Sequence, residues 1–364
     1  MITGYLLKVI REQIPLTQEE LAGRLGLDKS TVQGWESGRR PLSATRAGNL
    51  VALRLRLIRL GAPVALVDLL DTAMEADLLL SQILHTRPDS QSLGEHPLAA
   101  WVLNRDTTHM LGWAISGVLP GAVAAHLNIP AARRGPVSAS PLLGADIRSL
   151  FFGNLRETSD AAERSTSGTA LLRRQAWYLS AYDDTWDAAD WFTGMRRRGT
   201  MTAQVIGWSS QWAEARSVAA SLARQGDPAL MRDFIDRSMA DHDEAEAANL
   251  NYWAHWLGLD TRTHVDDTFM AHRGRPSWSS GSLLRAFAER LDRAFEYTDL
   301  YIHSIWALTI AHRGVFEADP HAARELSAAA QLLLDGNTLS VRSRRELESV
   351  HYGLRVGGYC KAPD

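Results

Sequence analysis

Apolar and polar positions recur with a helical period along most of the chain, and most sharply between Thr17 and Glu36. Leu21 and Leu25 lie four apart with Ala22 beside them, Gly26 interrupts, and Val32 and Trp35 then lie three apart. This spacing predicts two short helices facing each other across a glycine turn. Thr17 is placed to cap the first helix, with Glu20 reaching back as a capping box. Gly26 can adopt the positive φ that a sharp turn between helices demands. Leu27 is expected to plug the core beneath that turn, and Asp28 or Lys29 to open the second helix. With Val32 and Trp35 turned inward, Lys29, Ser30, Gln33 and Gly34 are left on the outer face.

A further helical pattern begins at Ser43 and runs through Leu50, Leu53, Leu57 and Leu60, until Gly61-Ala62-Pro63 breaks it. Arg46, Arg54, Arg56 and Arg59 between these leucines either extend a basic surface or form an ordinary solvated face. From Val64 to Leu84 a stripe of Leu66, Leu69, Leu70, Met74, Leu78 and Leu79 suits a dimer seam or docking onto the larger domain. Residues 86–97 and 130–141, with their Pro, Gly and Ser content, read as linkers. Beyond Leu142, Ala-rich helical runs studded with aromatics alternate with breaks at Gly199, Gly226, Gly258, Pro276 and Gly336. Asp227-Pro228 and Asp319-Pro320 each look like a helix cap followed by a first-turn proline. Runs of period two are almost absent, so the fold class is all-α: a four- or five-helix N-terminal domain, then an irregular array of helical hairpins. The expected domains are residues 1–62, a connector or dimerisation region at 63–135, and a helical sensor or interaction domain at 136–364.

Charge sharpens this division. Residues 1–60 hold ten Lys and Arg against five Asp and Glu, about +5, so a chain of net charge −3 carries about −8 elsewhere. A basic head on an acidic body points to one module facing nucleic acid, because phosphate contacts need concentrated positive charge. The single cysteine, Cys360, allows neither an intrachain disulfide nor a thiolate metal cluster, and together with an N-terminus lacking a secretory signal it points to a cytoplasmic protein. The longest stretch without acid or base, Thr107 to Ala132, contains His109, Ser116, Pro120, His126, Asn128 and Pro130. It reads as a buried helix plus loop, not a membrane span.

The run T-Q-E-E-L-A…G…V…W-E-S-G-R resembles the helix-turn-helix of the XRE family, the phage-repressor-like regulators, over about residues 4–60. The resemblance implies an HTH domain whose third helix enters the major groove of double-stranded operator DNA. It implies that Gln18, which opens the second helix, holds a phosphate, and that Lys29, Ser30, Thr31 and Gln33 are candidate base or phosphate contacts. Many relatives carry a longer polar side chain where this chain has Gly34, so one base contact is expected to be missing. The family also pairs an Arg of the first helix with the Glu after the Trp position, which implies a structural ion pair between Arg11 and Glu36. On chemical grounds Lys29 can donate to guanine and Gln33 can pair with adenine, while Arg39 and Arg40 would grip backbone phosphate. A homodimer is expected, since two half-sites multiply the limited specificity of one short helix. No cofactor is implied.

Nine of the twelve tryptophans fall between Trp177 and Trp306. Trp208 with Trp212, and Trp253 with Trp256, are spaced to share helix faces. They either pack the core between hairpins or line a pocket for an apolar ligand or peptide, with Tyr252, His255 and Tyr301 supplying polar groups. The array is similar to tetratricopeptide-like arrays but lacks a clean period of about 34 residues. It would serve as a sensor for a small-molecule, peptide or protein effector, or as an interaction scaffold to which the DNA-binding module is an address. Asp183-Asp184-Thr185-Trp186-Asp187 spells the D-D-x-x-D pattern of terpene synthases, and three such carboxylates could bind a hard cation, although no second metal motif follows. His242-Asp243 is similar to the pair of HD phosphohydrolases but sits among Asp241 and Glu244, as in an acidic surface turn. No phosphate-binding loop, H-E-x-x-H or G-x-S-x-G occurs, so no enzyme is expected.

Overall fold

The computed structural model describes residues 1–85, 93–127, 140–165, 168–185, 188–202, 205–272, 276–291, 295–336 and 338–360. The described residues are helical with connecting turns, and no strand occurs among them. They group into two compact units: Met1–Asp89, Arg105–Thr158 and Tyr182–Asp184 in the first, and Ser90–Asn104, Ser159–Ala181 and Thr185–Asp364 in the second. The expected boundary at residue 62 falls inside the first unit, and that at 135 lies outside the described residues. The proposed linkers at 86–97 and 130–141 also lie largely outside them.

The first unit opens with five helices: α1 (Ile2–Gln13), α2 (Gln18–Leu25), α3 (Lys29–Glu36), α4 (Ala47–Arg59) and α5 (Val64–His85). Leu6, Leu7 and Ile10 of α1 are fully buried, each contributing about 1.5–3 kcal/mol. α1 packs against α3, α5 and the helix Arg105–Ser116, where Tyr5 meets Trp113 edge to face at 5.1 Å. The start of α1 is tied down by the carboxylate of Asp77 of α5, a residue only 5% exposed. It accepts from the backbone N–H groups of Ile2 (2.8 Å) and Thr3 (3.0 Å) and from the Thr3 hydroxyl (2.7 Å). An anion at a helix N-terminus meets both the unpaired amides and the positive end of the dipole.

Several expectations need correction here. The pattern taken to start at Ser43 becomes a short 3-10 turn, Leu42–Ala44, and the helix itself starts only at Ala47. Of the stripe offered as a dimer seam or docking face, Leu66, Leu69, Leu70 and Leu79 are buried within the first unit, where α5 packs on α1 and the helix Arg105–Ser116, while Leu78 is 50% exposed. Gly199 does not break the chain, since helix Ala188–Thr202 runs through it; one interior glycine costs only about 1 kcal/mol. Trp208 lies ahead of the helix Ser210–Arg224 and does not share its face with Trp212, because Ser209 caps that helix by accepting from the Trp212 amide.

The second unit is an assembly of helices whose packing order departs from chain order. Pro320–Asp335 packs on its chain neighbour Val341–Val356, but Thr298–Ala311 also reaches Val341–Val356, and Ala170–Ser180 packs on Ser210–Arg224 past an intervening helix. Asp319 caps Pro320–Asp335 by accepting from the Ala322 amide at 3.0 Å, with the proline in the first turn. Asp227 instead precedes its helix by two residues and accepts from the Ala229 amide at 3.2 Å. No described helix is long and apolar enough to cross a membrane.

Candidate nucleic-acid interface

The local chemistry of residues 17–36 builds the expected pair of helices. Thr17 accepts from the Glu20 amide at 3.1 Å and its own amide donates to the Glu20 carboxylate at 2.7 Å, a complete capping box that also holds the Glu20 carboxyl below its ordinary range. Gly26 takes φ 69° and ψ 37°, left-handed, and the following amide of Leu27 donates back to Ala22 at 2.9 Å, closing α2. The reversal turns Leu27 outward. It is 39% exposed, so it does not plug the core as expected.

Across the turn, Val32 and Trp35 of α3 pack inward. Gly4 of α1 lies against the last turn of α3 so closely that a Cβ there would stand 2.3 Å from the Trp35 carbonyl oxygen. Glu36 ties three helices together: it accepts from Arg11 Nε at 2.6 Å and Nη2 at 3.0 Å, and from Gln18 Nε2 at 2.7 Å. Arg11 also donates to the Leu16 carbonyl at 2.8 Å. One amide hydrogen of Gln18 is thereby committed to Glu36 while the other is left for an incoming acceptor. Arg56 of α4 donates to the Leu25 carbonyl at the end of α2, and Arg54 pairs with Asp68 at 3.0 Å and Asp71 at 2.5 Å. Those two arginines brace helices, whereas Arg46 and Arg59 are exposed.

The outer face of α3 is polar. Lys29 and Ser30 are exposed and Thr31 and Gln33 half-buried, with exposed Arg39 and Arg40 just past the helix. Lys29 Nζ lies 2.8 Å from the Glu19 carboxylate, whose own carboxyl it holds below the ordinary range by hydrogen bond and charge. Arg39 Nε donates weakly to Ser37 at 3.4 Å. Gly34, expected on the open face, is buried instead, because the side chain of Arg40 lies across it. Sequence reading missed Glu19, Gly4, Asp77 and the seating of Arg40. None of these carries a distinct local signal: α5 also holds Asp68, Asp71 and Glu75, and only the fold shows that Asp77 lies on its buried side.

Of the seven aromatic and histidine candidates of the second unit, Trp212, Tyr252, Trp253 and Tyr301 are buried in one core cluster, and Trp208 and Trp256 pack against it. Trp212 is fully buried, donates to the Ser238 carbonyl at 2.8 Å and packs on Phe234 at 5.3 Å, with Trp208 half-buried nearby in the chain. Trp253 meets Tyr301 at 4.6 Å, and Tyr252 stacks with half-buried Trp256 at 6.1 Å. His255 lies among His264 and Phe269. A surface hollow of about 170 Å³ is lined by Asn251, Asp260, Phe269, His272 and Trp278, and by none of the seven. Among these aromatics sits a polar group that sequence reading passed over. Arg216 is 5% exposed, with its guanidinium 4.1 Å from the Tyr252 ring and 5.3 Å from that of Trp253. It donates from Nε to Asn249 at 3.0 Å, while among the described residues Nη2 has no hydrogen-bond partner and no acid pairs with it. Burial pulls it down to about 10, so it stays charged near neutrality. The neighbouring Arg174, by contrast, pairs with buried Asp267.

The two described carboxylates of the D-D-x-x-D run each face an arginine. Asp183 is buried against Arg156, Asp184 is exposed and 3.8 Å from Arg148, and Asp187 lies outside the described residues. His242 and Asp243 begin the helix Asp243–Trp256 at an exposed acidic end.

Comparison with known proteins identifies the N-terminal module alone. Residues 7–52 match the family model described as Helix-turn-helix, 46 of the 364 residues. No curated protein and no solved structure matches the chain. The N-terminal module is thus an XRE-type helix-turn-helix, the DNA-binding module of transcription regulators.

Proposed function

We propose that the protein is a transcriptional regulator that reads operator DNA with the start and outer face of α3 and adjusts that binding through its second unit. The observation that carries the reading is the polar face of α3. Lys29, Ser30, Thr31 and Gln33 stand outward on a helix locked from behind by the Arg11–Glu36–Gln18 cluster, with Arg39 and Arg40 beside it. Lys29 and Gln33 can address base edges, and Arg39 and the free amide hydrogen of Gln18 can address phosphate. One recognition helix of eight residues offers few base contacts, which favours a homodimer on two half-sites. Mobility shift with Lys29→Ala, Gln33→Ala and Arg39→Ala tests this. Loss of sequence preference in the first two, and a uniform loss of affinity in the third, are expected. Unchanged affinity and preference in all three refutes it.

For the second unit, the buried guanidinium of Arg216 favours a small anionic effector. A buried cation is costly without an anion, and aromatic faces alone offset little of that cost. A carboxylate or phosphate at Nη2 would supply the missing acceptor and leave the aromatic neighbours to grip an apolar body. A thermal-shift screen of the full chain against aromatic carboxylates and organic phosphates should find stabilisation that Arg216→Met abolishes. If no anion stabilises the protein while a cellular protein co-purifies through the second unit, the scaffold reading replaces this one.

A further inference from the structure

We propose that Arg40, a residue outside the recognition helix, supplies a base-reading side chain at the centre of its outer face, and that Gly34 is the seat that admits it. The inference rests on the reading that this face of α3 enters the major groove. At about 100° per residue, Gly34 falls between Ser30 and Thr31 on the side opposite Val32 and Trp35, so it belongs to the outward surface. It is nevertheless buried, because Arg40 covers it. A Cβ at Gly34 would stand 3.2 Å from Cδ, 3.3 Å from Cγ and 3.5 Å from Cβ of Arg40. The origin of that side chain is fixed as well: Gly38, with φ +76°, turns the chain back across the end of α3, and the Arg40 amide donates to the Gly34 carbonyl at 3.0 Å. Its guanidinium reaches Thr31, with Nη1 3.5 Å from Oγ1, and is exposed.

Two further facts bear on Arg40, the first of them shared with Arg39. Lys29 is held by Glu19, Arg11 by Glu36 and Arg54 by Asp68 and Asp71, whereas Arg40 has no acidic partner among the described residues. Its stem is packed along the helix, so little side-chain freedom is left to lose on binding. An arginine fork held this way on the groove-facing surface matches the paired acceptors O6 and N7 of guanine, the commonest base contact made by arginine. The expected ligand group is therefore a guanine at one fixed position in each half-site.

The test is selection of bound fragments from random duplex DNA with the full-length protein, followed by affinity measurement on the selected site and on single-base variants. Wild type is expected to select a guanine at one position. Arg40→Ala should lose that preference, by roughly 5- to 150-fold at that base pair, with other positions unchanged. Arg40→Lys should recover little of it, because an ammonium cannot form the fork. Gly34→Ala, whose methyl carbon obliges the Arg40 stem to shift by a few tenths of an ångström, should weaken the same single-position preference, and should add nothing once Arg40 is already Ala. An unchanged melting temperature for Gly34→Ala shows that the module is still folded. If Arg40→Ala instead weakens all sequences equally and reduces the salt slope by about one, Arg40 is a phosphate contact and the proposal fails while the DNA-reading function stands. If wild type selects no sequence at all, both fail together.

Discussion

Asp77→Ala should loosen the start of the DNA-binding module from a site more than seventy residues away in the chain. The Asp77 carboxylate accepts from two backbone amides and one hydroxyl at 2.7–3.0 Å in a buried setting. The Thr3 hydroxyl can rotate to another acceptor, but the amides of Ile2 and Thr3 cannot. Each buried donor left unpaired costs about 1–3 kcal/mol, and losing the anion at the helix N-terminus adds about 0.3–1. The expected loss is therefore about 3–5 kcal/mol, or roughly 10 °C in melting temperature for a unit of roughly 150 residues. Because the contacts hold one end of α1, the effect should be local first. Hydrogen exchange followed by mass spectrometry should show amides of Ile2–Gln13 opening about a hundred- to a thousandfold more often than in wild type. Asp77→Asn, which keeps one acceptor oxygen, should fall between. Exchange in α1 within threefold of wild type, with no change in melting temperature, would show that Asp77 does not anchor the module.

Gly4→Ala should be as damaging from the opposite side of α1. Its methyl carbon would stand 2.3 Å from the Trp35 carbonyl, so α1 and α3 must part at a cost of about 3 kcal/mol or more, and a melt without change would refute the close crossing. Glu19→Gln frees Lys29 and removes a negative charge beside the proposed DNA face, so affinity for duplex DNA should rise several-fold at low salt and converge with wild type at high salt; weaker binding would contradict that arrangement. The second unit should lose stability in mild acid. Burial pushes both His96 and His255 down to about 4, with His264 adding to the effect at His255, whereas an unfolded histidine titrates near 6.5. The folded state therefore binds fewer protons, and the stability present above pH 6.5 falls between pH 6.5 and about 4, by up to about 3 kcal/mol for each group. His96→Asn keeps an acceptor for the Leu98 amide without titrating, so urea unfolding at pH 7.5 and pH 5 should show a smaller fall than wild type, and an equal fall would remove His96 from the explanation.

The parts of this protein that were legible in its sequence are those whose physics is local. Thr17, Glu20, Gly26, Val32 and Trp35 each act on partners within a few residues, so their spacing alone specifies α2, the turn and α3. Leu27 was misread because a Schellman-type closure, in which its amide returns to Ala22, decides where its side chain points. The stripe on α5 was correctly apolar, but its partner α1 is some sixty residues earlier and no periodicity names it. Gly34 was read as a missing contact because the side chain that fills its place comes from across a turn. The second unit was legible only as helical. Which helices pack, and that Arg216 would be buried among Tyr252 and Trp253 without an acid, depends on contacts dozens of residues apart.

The most direct test of the central claim, that the outer face of α3 reads duplex DNA, is selection of bound fragments from random DNA by the full chain at two salt concentrations. Wild type should enrich a defined motif, with an affinity that falls steeply as salt rises, and Lys29→Ala with Gln33→Ala should strip the motif of every position except the guanine assigned to Arg40 while retaining salt-dependent binding to any duplex. Enrichment of no motif by the wild type, or the same motif from the double variant, would contradict it.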